Sequence, residues 1–111
     1  VNLPVGAGKT KYAFVIGETA QEARQYIERA KAHPEATPIR YFTVSLSSRM
    51  AYTQLMGHKN CHIIVAGKVG RTYETHVNLQ KVKEEARHRN TNWYYPPENS
   101  VMLKLHEGTT V

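Results

Sequence analysis

The feature that most restricts this chain is the short run Tyr12-Ala13-Phe14-Val15-Ile16, which ends at Gly17 and passes at once into a helix signal. An apolar run bounded by glycine reads as a buried strand. Thr19-Ala20-Gln21-Glu22 follows with capping-box spacing, Thr19 accepting from the third helical N–H while Glu22 reaches back. Ala20, Ala23, Tyr26, Ile27 and Ala30 recur at helical spacing, and His33-Pro34 marks the stop. A strand handed through a glycine to a capped helix must find a second strand to cover the helix.

That second strand is expected over Ile39 to Leu46, opened by Pro38. Phe42, Val44 and Leu46 fall on one face and Ile39, Tyr41 and Thr43 on the other, as in strands of parallel sheets covered on both sides. Ser47-Ser48 suits the cap of a short helix carrying Met50, Ala51 and Leu55, closed by Gly57. Cys61 to Ala66 is apolar apart from His62 and reads as a third buried strand. The order strand, helix, strand, helix, strand predicts a right-handed parallel sheet. Beyond Gly70, Tyr73, Thr75 and Val77 alternate as a fourth strand would. Asn78 suits the cap of a helix with Leu79, Val82 and Ala86 inward. Trp93-Tyr94-Tyr95 stops at Pro96-Pro97, and Val101, Leu103 and Leu105 alternate as an edge strand would. The expected organisation is a flexible N-terminal arm over 1–10, one α/β domain over 11–106 and a C-terminal tail over 107–111.

Composition narrows the class. The 111 residues are 41% hydrophobic and 22% charged, ordinary values for a folded domain. One cysteine, Cys61, excludes an internal disulfide framework and fits a reducing, cytoplasmic setting. No run is long enough to span a bilayer, so no membrane partner is expected. The net charge of +6 favours anionic partners, nucleic acid above all.

The chemistry-bearing residues argue mainly by exclusion. All nine acids are glutamate, and there is no aspartate. Leu3-Pro4-Val5-Gly6-Ala7-Gly8-Lys9-Thr10 resembles helicase motif I, where backbone N–H groups would cradle phosphates, Lys9 would neutralise charge and Thr10 would hold Mg²⁺. Its context does not support a cradle. Pro4 interrupts the strand that should feed the loop, a strand rather than a helix follows Thr10, and no acid closes the run Cys61 to Ala66. A glycine-containing arm accounts for the segment better than a working nucleotide site. Cys61 and His62, as strand neighbours, face opposite sides and cannot share a metal. Ser45, Ser47 and Ser48 sit in no nucleophile elbow. Glu84-Glu85 lies on a helix face with nothing to make it a carboxylate cluster. No catalytic residue, metal or cofactor is expected, and the protein is read as a non-enzyme.

Two anion-binding surfaces remain. Parallel strands gather their C-terminal loops on one rim, which would bring Gly17 and Thr19 near Ser48 and Arg49 and near Lys68, Gly70 and Arg71. Hydroxyls, glycines and cations there suit phosphate, so Thr19, Ser48, Arg49, Lys68 and Arg71 are the candidate phosphate ligands. The alternative is that the glycines serve turn geometry and the cations are simply solvated. Lys81, Lys83, Arg87 and Arg89, followed by Trp93, place cations beside stackable rings, the means by which single-stranded nucleic acids are held. A solvated helix face and a Trp packed in the core would give the same pattern.

Residues 41–67, with a strand, Arg49, Leu55-Met56-Gly57 and His62-Ile63-Ile64-Val65-Ala66-Gly67, resemble part of a RecA-like or Rossmann-like core. Small proteins of this layout are common among phage accessory proteins. The resemblance implies an α/β sandwich with a mainly parallel sheet of four or five strands and about three helices, and a viral origin. It carries no catalytic residue across. The leading functional expectation is a small basic protein binding nucleic acid through phosphate contacts. One alternative is a phage-type accessory protein that docks on a host protein through the aromatic 93–95 segment or an edge strand. The other is a degenerate P-loop-like nucleotide-binding fold without NTPase activity, using Gly6, Gly8, Lys9 and Thr10.

Overall fold

The structure is a computed structural model that describes residues 12–34, 39–58, 61–89, 91–97 and 100–101. The segment Gly6 to Thr10, the arm and tail, and the strand expected beyond Val101 lie outside the described residues. Strand β1 spans Tyr12–Gly17, helix α1 Ala20–Ala32, β2 Arg40–Ser45, a 3-10 helix Ala51–Leu55, β3 His62–Val65, α2 Tyr73–Ala86 and β4 Asn92–Tyr94. The four strands form one sheet in the order β2-β1-β3-β4, and every pairing is parallel. This is a small α/β domain of the predicted class, with two α-helices and one 3-10 turn among the described residues.

The order of strands dictates where the helices go. A right-handed crossover from β1 to β2 and one from β2 back past β1 to β3 must use opposite faces. Side chains alternate accordingly. Ala13, Val15, Ile64 and Ala66 pack under α1 with Ala23, Tyr26, Ile27 and Ala30. Phe14, Ile16, Cys61 and Ile63 pack under α2 and the 3-10 helix with Leu55, Leu79 and Val82. Strands covered on both faces need apolar residues at consecutive positions, which is why Ala13 to Ile16 and Cys61 to Ile64 are all at most 1% exposed. Each large side chain so buried stabilises the fold by roughly 1.5–3 kcal/mol.

Two predicted elements are corrected. Residues 73–77 are the first turns of α2, and Thr72, not Asn78, is its cap. The Thr72 hydroxyl accepts from the Thr75 N–H at 3.1 Å, and the Thr75 hydroxyl accepts from the Thr72 N–H at 3.0 Å. That reciprocal pair opens the helix six residues early and overrides the β-like alternation of Tyr73 and Val77. Asn78 is instead buried inside α2, and its Nδ2 donates to the Leu46 carbonyl at 2.7 Å. Trp93 lies in β4, a strand where only an aromatic run before a break was expected.

At Gly17 a Cβ would come within 2.6 Å of the Ala23 nitrogen and 2.8 Å of the Thr19 carbonyl oxygen. Glycine therefore lets the first turn of α1 lie directly against the end of β1. Thr19 caps that turn by accepting from the Glu22 N–H at 3.3 Å. The return half of the expected box is replaced: the Glu22 carboxylate meets the Thr19 hydroxyl and the Arg71 guanidinium.

Candidate functional site

β1 and β3 are neighbours whose following segments leave for opposite faces. In an open α/β sheet such a switch point leaves a crevice at the strand C-termini, where ligands bind. Here one of the chain's own side chains spans it. Glu18, 6% exposed, follows β1 directly and reaches the loop after β3. Its Oε1 accepts from the Gly70 N–H at 2.7 Å, and its Oε2 accepts from the Arg71 N–H at 3.0 Å and the Thr75 hydroxyl at 2.7 Å. Gly70 holds φ +75°, a left-handed conformation that presents its N–H to the carboxylate and that a side chain would strain. Burial alone would raise the Glu18 pKa. The hydrogen bonds from Thr75, Gly70 and Arg71, with the Arg71 charge, outweigh it and hold the group below its ordinary value. The cradle at the α2 N-terminus thus holds an anion supplied by the protein itself.

Two of the predicted phosphate ligands meet on the α1 side of this rim. Lys68 and Arg71 line a recess of about 170 Å³ with Glu22, Gln25 and Arg29 from α1 and Pro96, Pro97 and Ser100 from the segment after β4. Arg71 Nη2 donates to both Glu22 carboxylate oxygens at 3.2 Å, and its Nε lies 3.9 Å from Glu18. Arg29 lies over the Tyr26 ring, 5.8 Å from its centroid. Thr19, Ser48 and Arg49 do not line this recess. Thr19 serves the α1 cap, Ser48 Oγ accepts from the Met50 N–H at 3.2 Å, and Arg49 is exposed in the turn after β2.

On the opposite face of β4 the aromatic and basic candidates converge in part. Trp93 and Tyr95 are stacked, with ring centroids 6.4 Å apart and planes 19° from parallel. Trp93 is half-buried against the core and donates through Nε1 to the Thr91 hydroxyl at 3.0 Å, whereas Tyr95 is 65% exposed. Lys83 on α2 and Arg87, the C-cap residue one turn further on, border the same recess, whose volume is about 440 Å³. Lys81 lies on the other flank of α2, in a recess with Tyr52, Glu84 and Glu85. Arg89 is committed elsewhere: it pairs with Glu85 at 2.6 Å, donates to the His58 carbonyl at 3.1 Å, and is only 17% exposed.

Burial at the β3 face opposite α1 pushes the Cys61 thiol up to about 11, so it is no nucleophile in the folded state. His62, fully buried on the other face, meets the Tyr94 ring edge-on at 5.5 Å. Among the described residues no three metal-binding side chains come together, and no described helix is long and apolar enough to cross a membrane. Residues that sequence reasoning missed are Glu18, Gln25 and Arg29. Only Glu18 carried a signal, as the one acid placed directly at a strand exit. No protein-family model, curated protein or solved structure matches the chain.

Proposed function

We propose that this domain is a binding module for single-stranded nucleic acid, using the surface where α2 meets β4. The observation that carries the reading is the stacked Trp93–Tyr95 pair sharing one recess with Lys83 and Arg87. Stacked rings offer a base a π-face without demanding a sequence, and cations one turn apart at the end of the bordering helix suit a phosphate backbone running past it. Lys81 and the net charge of +6 add long-range attraction. Arg87 is shared with Glu84 at 2.8 Å, but both side chains are well exposed, so a phosphate can displace that carboxylate at little cost.

Trp93 is the only tryptophan, which makes its fluorescence a direct probe of this surface. Titration with a short oligothymidylate at low salt should quench it saturably, and Tyr95→Ala should weaken binding by about 1–3 kcal/mol, the usual worth of one stacked base. The absence of any quenching or binding at low ionic strength would remove the proposal.

A further inference from the structure

We propose that the recess on the α1 side of the sheet rim is a separate site for a terminal phosphate monoester, built on Arg29, Lys68 and Arg71. Among the described residues that line it, three cations stand against one carboxylate, Glu22, while the Glu18 carboxylate, 3.9 Å from Arg71 Nε, is taken up by the Gly70 and Arg71 N–H groups and the Thr75 hydroxyl. That balance suits a group carrying close to two negative charges, as a phosphate monoester does near neutral pH, better than a singly charged backbone phosphodiester. The recess is also much smaller than the one beside Trp93, about 170 Å³ against about 440 Å³. Pro96 and Pro97 wall one side of it. A small pocket with a wall admits the end of a molecule rather than a strand running through.

Arg71 is held ready for such a ligand. Its backbone N–H is fixed on Glu18, and its Nη2 is held by Glu22. Among the described residues its Nη1 makes no hydrogen bond, so that donor is left for a ligand while both anchors stand. Glu18 also explains why an anion would bind here and not in the usual crevice. The Gly70 and Arg71 N–H groups of the loop leading into α2 are already occupied by its carboxylate, so the positive side chains of the rim face a ligand from the α1 side instead. Gln25, on the exposed face of α1, adds a neutral donor at the edge of the recess.

The test titrates the full chain at constant ionic strength with inorganic phosphate and with adenosine 5′-monophosphate, following backbone amide shifts at Gln25, Gly67 and Lys68. Saturable shifts are expected. The double variant Arg29→Ala with Lys68→Ala should lose about tenfold or more in affinity, as expected for removal of charge-assisted hydrogen bonds. Both side chains are exposed, and Lys68→Glu alone provides an independent check should the double variant melt early. Oligonucleotides with a 5′-phosphate or a 5′-hydroxyl then separate the sources. Tighter binding of the phosphorylated strand, abolished in the double variant, identifies a strand end; saturation by the mononucleotide alone identifies a free nucleotide. Absence of saturable shifts, or shifts that persist unchanged in both variants, overturns the site. Trp93 quenching by the 5′-hydroxyl strand reports on the stacking surface separately, so either surface can fail without the other.

Discussion

Glu18 and Thr75, 57 residues apart in the chain, share a 2.7 Å hydrogen bond that ties the end of β1 to the first turn of α2. The same carboxylate takes the backbone N–H groups of Gly70 and Arg71, so one buried side chain closes the crevice between two parallel strands. The helix dipole and the capping threonine both favour the charged form. A nucleotide phosphate would need the place this carboxylate fills.

Replacing Glu18 should therefore cost stability. Glu18→Gln presents an NH₂ where the clasp needs acceptors and should destabilise the fold by about 1–3 kcal/mol. Thr75→Val should cost a similar amount, and the double variant less than the sum, because both remove the same bond. Urea unfolding of the three variants checks this, and simple additivity would show that the bond is not the source.

The clasp also sets an acid limit. Glu18 is held below its ordinary value of 4.5, so its folded form binds a proton less readily than its unfolded form. The stabilisation is present above that value and is lost as pH falls through the lower folded pKa. Unfolding free energy should drop on acidification below about pH 4.5, and Glu18→Gln should flatten that part of the curve. An unchanged slope in the variant would assign acid sensitivity to other carboxylates.

Gly17 is required for contact, not for backbone freedom. A methyl group there meets backbone atoms of α1 at 2.6 and 2.8 Å, and backbone cannot rotate aside. Gly17→Ala should destabilise by about 1–3 kcal/mol or more through displacement of α1. Thermal melts measure the loss, and an unshifted Tm would contradict the packing of α1 on β1.

Cys61 should be silent in the native state. It is 0% exposed, and burial raises its thiol to about 11. Labelling with a thiol reagent at neutral pH should proceed only as fast as the β3 face opens, and mild denaturant should accelerate it sharply. Rapid labelling of the folded protein would mean that the layer between β3 and α2 is loose.

Binding to single strands should fall steeply with salt, since released counterions supply most of the affinity. Removing Lys83 or Arg87 should reduce the slope of log K against log salt by about one each. Arg89→Gln should leave that slope unchanged, because Arg89 is spent on Glu85 and His58 and neutralises no phosphate. Filter binding over a salt series distinguishes the three.

Local chemistry carried the fold a long way. The apolar runs at 12–16 and 61–66, the glycine at 17 and the cap at Thr19 each act on near neighbours, and all appear where the sequence places them. Thr72 and Thr75 misled because a Thr-x-x-Thr cap lacks the acid that usually marks a box, while Tyr73, Thr75 and Val77 imitate a strand. In the candidate sites, Lys68 with Arg71 and Lys83 with Arg87 could be paired from spacing alone. Their partners could not. Arg29 joins Lys68, and Tyr95 stacks on Trp93 beside α2, only once the strands take the order β2-β1-β3-β4.

The sequence by itself determined a parallel α/β sheet, a basic surface and the absence of an aspartate, because periodicity, charge and residue inventory need no third dimension. Tertiary structure alone decided which cations remain available and which anion occupies the crevice. Those outcomes depend on contacts between segments some 50 residues apart, as with Glu18 on Gly70 and Arg71, and a side chain's partner is set by the path of the backbone rather than by its neighbours in the chain.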